Sequence, residues 1–520
     1  MGLKARLIAH LFVVVLVAMP LIAQDSSLAE RSAGKYLDSI REQPSLLLAF
    51  LRDMPKGGDL HNHLGGAIYA ESLINFAADD GLCVDRTTSH LIAPPCDESC
   101  AKYTSKPATS CAYQDQVLYN SMVDAWSMRN WNVSQDSGHD HFFATFDKFS
   151  LAMTNHIGES LAEVASRAAA DHLQYVELMH TADGMAAAQL GEKTGWDEDF
   201  AKLRGTLLAG GMKEVVASTR AQLDRDEAKT RSAMRCDTPA AESGCGVKVR
   251  YLYQVLRGLP PEAVFAQILL GFELAQADAR FVGLNLVMPE DWYVPMHDFH
   301  LHMRMLDYLH GIYPKVHVSL HADELAMGLV PPEGLRFHIR ESIELGHAER
   351  IGHGVAVMHE RDPLELLQEM ARRKVLVEIC LTSNDTILGV RDEEHPFPVY
   401  RKYGVPVALA TDDEGVSRSD MTQEWVRAVR SYQLSYGDLK GMARESLEHS
   451  FLPGTSLWQD SHKHARAAAC ANNSPTSETL SEGCRKFMDG SERARMQWSL
   501  EQEFASFERK FLENSSALKQ

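Results

Sequence analysis

Eight short apolar runs, most of them separated by longer segments with helical periodicity, constrain the fold of this 520-residue chain more than any other feature. Runs of this composition and length are typical of buried strands. Strands that alternate with helices pair in parallel, and eight such repeats predict an α/β fold, a (β/α)8 TIM barrel. The predicted strands cover residues 58–63, 175–180, 247–255, 281–286, 316–321, 350–353, 375–379 and 407–410.

The segments around these runs predict the domain organisation. We expect a helical lead-in over 24–53, a barrel over 54–454 and a C-terminal helical extension over 455–520. A polar, cysteine-bearing insertion at about 83–139 follows the first strand. Helical periodicity is clearest over 160–172, 261–277, 335–345, 363–372, 421–432 and 493–512.

The net charge excludes one class of function. The chain carries 52 Lys and Arg against 71 Asp and Glu, a formal charge of -19. A protein that binds nucleic acid without sequence preference needs basic surface, so we expect no nucleic-acid partner. A small-molecule substrate remains compatible with this charge.

The N-terminus has the pattern of a secretory signal peptide over residues 1–23. Lys4 and Arg6 precede an apolar segment at 11–18, and residues 21–23 offer a cleavage site. The alternative is an N-terminal membrane anchor, but the apolar segment is short for crossing a bilayer. We therefore expect a secreted or periplasmic protein with no stable membrane insertion after signal removal.

The nine cysteines agree with export, because an oxidising compartment permits disulfides. Cys96 and Cys100 have the spacing of half a zinc site, but no histidine pair follows at the usual distance, so disulfides are favoured. Cys380 lies in an apolar run and is expected to be a buried free thiol. The other eight cysteines form a cluster whose pairing stays open and two close pairs: Cys83, Cys96, Cys100 and Cys111; Cys236 and Cys245; Cys470 and Cys484.

Histidines and carboxylates stand at the ends of several predicted strands. In a barrel of this type the carboxyl ends of all strands meet at one face, where active sites lie. His61 and His63 project to one side of the first strand. Three imidazoles and one carboxylate suit one Zn²⁺ or another borderline divalent ion with a position left for water. The predicted ligands are His61, His63, His321 and Asp412.

Other residues near these strand ends have chemistry that complements a metal-bound water. Glu324 is a candidate general acid, while His353 and Asp413 are candidates to orient water or contact the substrate. His180 also ends a strand and is a candidate pocket residue. Taken singly, a His-x-His pair is common in strands and Asp412-Asp413 is compatible with a turn or helix cap.

Several motifs resemble those of the adenosine deaminase family within the metal-dependent amidohydrolase superfamily. Met54-Pro55-Lys56 with Leu60-His61-Asn62-His63-Leu64 is similar to the opening motif of that family. His321-Ala322-Asp323-Glu324 resembles its His-Ala-Gly-Glu motif. The resemblance extends from about 54 to 453 and includes Arg350-Ile351-Gly352-His353-Gly354, Leu381-Thr382-Ser383-Asn384, His395-Pro396 and Thr411-Asp412-Asp413.

The resemblance implies a zinc enzyme that converts adenosine, and 2′-deoxyadenosine, into inosine-type products and ammonia. It implies that His61, His63, His321 and Asp412 bind zinc. It further implies that Glu324 protonates N1, that His353 orients the zinc hydroxide, and that Asp413 holds N7. These three residues are the predicted catalytic residues.

Two residues depart from the family pattern at the substrate side of the site. Many members have an acidic residue that contacts the ribose where this chain has Gly65. A glycine whose backbone meets N3 is common near the position of Met288. With Asp413 and His180, these are the predicted substrate-binding residues, and the departures leave base and sugar preference open.

The signal peptide and cysteine-bearing insertion most resemble the secreted branch of adenosine deaminase-related growth factors. Members of that branch dimerise through an N-terminal extension, which implies a homodimer, although the lead-in before Met54 is short in comparison. Two alternative functions remain. One is deamination of another 6-aminopurine or amino-heterocycle, and the other is a non-catalytic nucleoside-binding or signalling protein.

Overall fold

The computed structural model describes residues 21–517, apart from 135, 461–463 and 478, and it contains one large parallel barrel with helices around it. Residues 1–20, which hold most of the predicted signal peptide, lie outside the described part. The strands are β1 (Gly57–His63), β2 (Cys83–Val84), β3 (Leu91–Ile92), β4 (Leu173–His180), β5 (Lys248–Leu256), β6 (Phe281–Val287), β7 (His317–Ala322), β8 (Arg350–His353), β9 (Leu376–Ile379), β10 (Val407–Leu409), β11 (Trp458–Asp460) and β12 (Ala465–Arg466).

Helices precede, connect and follow these strands. They are α1 (Leu21–Ile40), α2 (Pro44–Asp53), α3 (Leu64–Ala67), α4 (Ala70–Asp79), α5 (Gln116–Ala125), α6 (Gly138–Phe149), α7 (Ile157–Ala170), α8 (Ala186–Thr194), α9 (Phe200–Leu207), α10 (Lys213–Ala233), α11 (Pro261–Ala277), α12 (Tyr293–His297), α13 (Phe299–Ile312), α14 (His338–Glu344), α15 (Pro363–Arg373), α16 (Leu381–Leu388), α17 (Phe397–Tyr403), α18 (Glu414–Ser417), α19 (Met421–Tyr432), α20 (Tyr436–Glu448), α21 (Glu482–Asp489) and α22 (Glu492–Ala517).

The barrel sheet has the order β1-β4-β5-β6-β7-β8-β9-β10, and all its pairings are parallel. Its two outer strands meet just beyond the end of β10. There, the Asp412 amide donates to the His61 carbonyl at 2.9 Å, and the His63 amide donates to the Asp412 carbonyl at 3.4 Å. The predicted (β/α)8 fold is therefore confirmed.

The barrel strands form where the sequence places apolar runs, because both faces of a parallel sheet are covered. Strand β6 is buried along its whole length, and α11, which packs on β5 and β6, is apolar on nearly every side. A helix buried on several sides lacks the one-sided pattern of a surface helix. The interior of the barrel and the inner faces of the helices form one continuous hydrophobic core.

Four disulfides lie outside the barrel strands. Cys83 pairs with Cys96, Cys100 with Cys111, Cys236 with Cys245, and Cys470 with Cys484. The first two pairs settle the connectivity of the insertion and exclude a zinc half-site at Cys96 and Cys100. Cys380 is a buried free thiol, as predicted. Four disulfides indicate an oxidising, extracellular environment.

The N-terminal and C-terminal helices pack together beside the barrel. The rings of Phe50 on α2 and Phe507 on α22 contact edge to face, with centroids 5.1 Å apart. Lys440 on α20 donates to Glu508 on α22 at 2.6 Å, and both side chains are buried. Within the range that the structure describes, no helix combines the length and apolar character needed to cross a membrane.

Candidate metal centre and active site

Four of the histidines singled out in the sequence meet at the carboxyl ends of the barrel strands. The ring centroids of His61 and His321 are 4.4 Å apart, and those of His61 and His353 are 4.9 Å apart. Asp412 Oδ1 lies 3.3 Å from His63 Nε2 and 3.6 Å from His61 Nε2. The four predicted ligands therefore converge, and His353 stands beside them.

Each of the three predicted imidazole ligands is held by an acceptor at Nδ1. His61 Nδ1 lies 2.7 Å from Glu378 Oε2, and His63 Nδ1 lies 2.8 Å from Gln254 Oε1. His321 Nδ1 lies 2.8 Å from Asn285 Oδ1. An acceptor at Nδ1 places the proton there and leaves Nε2 as a free lone pair, which is the form that binds a metal.

The free lone pairs point at one another, and a cation fits this arrangement. His63 Nε2 and His321 Nε2 are 3.2 Å apart, although two lone pairs cannot share a hydrogen bond. Burial alone would lower the pKa of His61, but its contacts with Asp412 and Glu378 outweigh burial and raise that pKa to about 10. Burial instead lowers the pKa values of His63 and His321, so these two rings stay neutral with free Nε2 lone pairs, and a divalent ion beside Asp412 would satisfy all three nitrogens.

A buried ion-pair network supports His61 from below. Glu378 Oε1 accepts from Arg350 Nε at 2.6 Å while its other oxygen holds His61. Arg350 also donates to Glu177 Oε2 at 2.6 Å, and Glu177 accepts from Tyr175 at 2.7 Å. Arg350, Glu177 and Glu378 are at most 1% exposed, so their charges stabilise one another in place of water.

His353 has the opposite proton arrangement from the three predicted ligands. The Phe397 amide donates to His395 Nδ1 at 3.1 Å, so the proton of His395 lies on Nε2 and is donated to Asn384 Oδ1 at 3.0 Å. The Asn384 amide group then donates to His353 Nδ1 at 2.9 Å. Burial lowers the pKa of His353 to about 3, so its ring is neutral with a proton on Nε2.

That proton of His353 points into the site. Its Nε2 lies 3.8 Å from Glu324 Oε1 and 4.0 Å from Asp412 Oδ2, and no described group accepts from it within hydrogen-bond distance. A nitrogen that carries its proton cannot bind a metal, but it can donate to a water oxygen. The geometry therefore separates His353 from the three imidazoles whose lone pairs are free.

Two carboxyl groups at the rim favour their protonated forms. Burial, with Asp412 and Glu290 nearby, raises the pKa of Glu324 well above its usual range. Burial and the neighbouring Asp412 likewise raise the pKa of Asp413. Glu290 Oε2 accepts from the Glu324 amide at 2.7 Å and so fixes the backbone that carries the acid.

Four strand ends around the site have a left-handed backbone at a residue other than glycine. Met288 has φ 92°, Asp323 56°, His353 68° and Asp412 58°. This conformation costs a side-chain-bearing residue about 1 kcal/mol or more and is concentrated at functional sites. Asp323 stands where the motif that this segment resembles has glycine, and Met288 lies near such a position, so the backbone conformation persists here without glycine.

The central cavity above the predicted ligands has a volume of about 310 Å³. Gly65, Met288, Glu324, Asp412 and Asp413 all line it, as do apolar residues of α6 and the segment after β6. His180 does not line this cavity but lines two other cavities at the same end of the barrel.

Sequence reasoning missed the side chains that hold the predicted ligands. Gln254, Asn285 and Glu378 lie within strands that were interpreted only as apolar runs. A single polar residue inside a buried strand is the sequence signal that indicates such a side chain, because a buried polar group needs a buried partner. Arg350 and Asn384 belong to the motifs given above, which do not indicate the partners that their side chains hold.

The sequence is similar to those of known deaminases. The sequence model of the adenosine deaminase family matches residues 113–457. Adenosine deaminase of Enterococcus faecalis is 35% identical over 136 residues, which are 26% of this chain and 37% of that protein. Aminodeoxyfutalosine deaminase of Streptomyces coelicolor is 38% identical over 116 residues, 22% of this chain and 29% of that protein. The matched segments thus span well under half the length of these relatives.

Two solved structures share the fold over most of both chains. Arabidopsis ADAL complexed with IMP has a TM-score of 0.50 at 19% identity, covering 80% of this chain and 96% of that one. An amidohydrolase from Burkholderia ambifaria with bound Zn has a TM-score of 0.50 at 17% identity, covering 78% and 88%. These likenesses concern the fold, whereas the family match covers more than half of the sequence. The chain belongs to the adenosine deaminase family.

Proposed function

We propose that this protein is an exported, zinc-dependent hydrolytic deaminase that converts adenosine and 2′-deoxyadenosine into the inosine nucleosides and ammonia. The observation that carries the proposal is the set of three Nε2 lone pairs, each fixed by an acceptor on the opposite ring nitrogen, beside Asp412. Such a set binds a divalent ion and leaves a position open for water. Bound zinc lowers the pKa of water from about 15.7 to about 7, which supplies hydroxide at neutral pH.

Glu324 is the proposed general acid. Its carboxyl is buried, borders the cavity and favours the protonated form. A protonated carboxyl at this place can donate to N1, the ring nitrogen next to the carbon that is attacked. Protonation of N1 makes C6 more electrophilic, so that the oxygen of a hydroxide supplied at the metal site would add to C6. The proton of that hydroxyl group would then pass to the amino group, the C6–N bond would break, and ammonia would leave as the C6 carbonyl forms, with the proton on N1 retained in the product.

His353 and Asp413 position the reactants. The His353 Nε2 proton orients a water oxygen, since its Nδ1 is occupied by the Asn384 donor. Asp413 lines the cavity and its Oδ1 makes no hydrogen bond within the described structure, so a protonated carboxyl there can donate to purine N7. A Cβ on Gly66 would lie 1.6 Å from Asp413 Oδ1, so glycine is required there for Asp413 to occupy this position.

Ultraviolet spectroscopy tests the reaction and the metal requirement together. The purified chain is loaded with zinc and mixed with adenosine, and the change from adenine to hypoxanthine absorbance is followed with a chelated sample beside it. We expect loss of the adenine signal only in the zinc-loaded sample. Absence of turnover with zinc shown to be bound would refute adenosine as the substrate.

A Glu324→Gln variant separates an enzyme from a nucleoside-binding protein. Glutamine keeps the shape of the side chain but has no acidic proton, so kcat should fall at least 10²-fold while purine binding persists. An unchanged rate would refute Glu324 as the acid. Binding without turnover in the unmodified protein would instead support the non-catalytic alternative.

A second candidate reaction is deamination of another 6-aminopurine derivative with the same metal chemistry. Gly65 and Met288 favour it, because both line the cavity where many relatives have different groups for sugar and ring recognition. A substrate panel of adenine, adenosine, 2′-deoxyadenosine and sugar-substituted adenosines distinguishes the candidates by their kcat/KM values.

A further inference from the structure

The central cavity is the first of three neighbouring cavities along the carboxyl end of the barrel. A second cavity of about 220 Å³ shares Gly65, Phe146 and Gln254 with it. A third of about 670 Å³ shares Ser150 and His180, among others, with the second. Their shared lining residues place the three cavities side by side, from the predicted metal ligands past the end of β4, and we call this series the path.

Gly65 lies at the boundary between the first two cavities. No atom lies within 4 Å of the position that its Cβ would occupy, and its φ is not in the left-handed region. Neither packing nor backbone conformation therefore requires glycine, in contrast to the neighbouring Gly66. Glycine in helix α3 also destabilises that helix by about 1 kcal/mol relative to alanine. Because Gly65 has no side chain, the space between the first and second cavities stays open.

We propose that the site accepts adenosines whose sugar carries a neutral or zwitterionic extension on its 5′ carbon, and that the second and third cavities hold the extension. This inference rests on the proposed function. Metal chemistry at C6 and the contacts of Glu324 and Asp413 fix one end of the purine. The sugar on the opposite end then needs space, which the cavity offers beside Gly65.

The residues along the path indicate the chemistry of the extension. The second cavity is largely apolar, with Phe149, Met153 and Ile157 around the ring of His180. Burial lowers the pKa of His180 to about 4, so this ring is neutral and offers one donor and one acceptor. Across the described residues it has no hydrogen-bond partner of its own. This part of the path suits a short thioether or methylene linker.

The third cavity has charges of both signs. Arg225 is its cation, and Asp183 and Asp226 are its anions. Hydroxyl and amide groups, such as those of Thr154 and Gln222, also line it. An amino-acid group, with one ammonium and one carboxylate, matches these charges, whereas a phosphate dianion meets more negative than positive charge. We therefore expect discrimination against 5′-phosphates.

Binding to a catalytically inactive variant tests the extension separately from the reaction. Glu324→Gln protein loaded with zinc is titrated calorimetrically with adenosine, S-adenosylhomocysteine and AMP. We expect S-adenosylhomocysteine to bind at least as tightly as adenosine and AMP to bind at least tenfold more weakly. Tenfold weaker binding of S-adenosylhomocysteine than of adenosine would overturn the inference, whether or not the unmodified enzyme deaminates adenosine.

Turnover by the zinc-loaded enzyme gives a second test through the ratio of kcat/KM for S-adenosylhomocysteine to that for adenosine. Ser150→Trp places a large ring where the second and third cavities meet and should lower this ratio at least tenfold. Leu151→Trp is the matched control, because Leu151 is 43% exposed and lines neither cavity. An unchanged ratio in Ser150→Trp, or an equal fall in both variants, would refute the proposed path.

Discussion

The proton on His353 Nε2 depends on Asn384, and an Asn384→Asp substitution tests that dependence. Aspartate has the same shape, so it still accepts from His395 Nε2. Its second oxygen is an acceptor, however, and forces the proton of a neutral His353 onto Nδ1. The Nε2 lone pair would then face the water oxygen in place of a donor.

The expected loss is large because the contact is buried. Asn384 and His353 are both 0% exposed, so water cannot replace the lost donor. Groups that position or transfer a proton contribute about 10²–10⁴-fold. At about 1.36 kcal/mol per tenfold change, this corresponds to about 3–5 kcal/mol of the activation barrier. We expect kcat to fall by this factor, with KM nearly unchanged because Asn384 does not line the central cavity.

The matched control is Asn384→Ala. Alanine removes the donor but imposes no acceptor, so His353 can still adopt the productive proton arrangement part of the time. We expect a loss of about tenfold in kcat, smaller than that of the aspartate variant, although alanine changes the shape more. Steady-state kinetics with adenosine, zinc content and Tm are measured for both variants. A larger loss in Asn384→Ala than in Asn384→Asp, with equal zinc content, would refute the reasoning.

Three further predictions concern other contacts in the molecule. His139, on α6, donates to Asp291 after β6 at 2.9 Å. Burial lowers the pKa of His139, but its contacts with carboxylates outweigh burial and raise that pKa. The His139→Gln variant should therefore lose about 1 kcal/mol of stability below pH 6.5, and Tm measurements should show this loss vanish as pH rises through the raised pKa. Glu378→Gln should weaken zinc binding about 10–100-fold in chelator competition, since it removes the carboxylate that holds His61. Replacing Cys236 and Cys245 together by serine should lower stability to denaturant by about 2–3 kcal/mol, because their disulfide closes a short loop; an unchanged midpoint would refute this.

The sequence predicted the barrel and the residues at its active face for a clear physical reason. Most of the strands are buried apolar runs, and the predicted ligands lie near or just beyond the carboxyl ends of strands. Strand order therefore brought residues as distant as His61 and Asp412 to one face without knowledge of any contact. The zinc ion, the roles of the site residues, the domain boundaries, export and the growth-factor branch remain predictions.

The hydrophobic periodicity of the sequence does not predict contacts between individual side chains. The pairing of His61 with Glu378, or of His353 with Asn384, depends on rotamers and on strand register. His180 shows the same limit: its place at a strand end was evident, but its direction, away from the central cavity, was not. The disulfide connectivity of the insertion likewise depends on loop geometry that spacing alone leaves open.

The barrel closes at a seam, where β1 meets the segment after β10, and this seam affects how the protein is made. The backbone contacts that close the barrel belong to His61, His63 and Asp412, which are also predicted ligands. During synthesis, about 350 residues must follow the first pair before the carboxylate emerges, and long-range pairing of this kind is slow. A complete metal site therefore forms only when the seam closes. An exported chain would acquire its ion after translocation, so metal supply outside the cell, and not in the cytoplasm, would determine the active fraction.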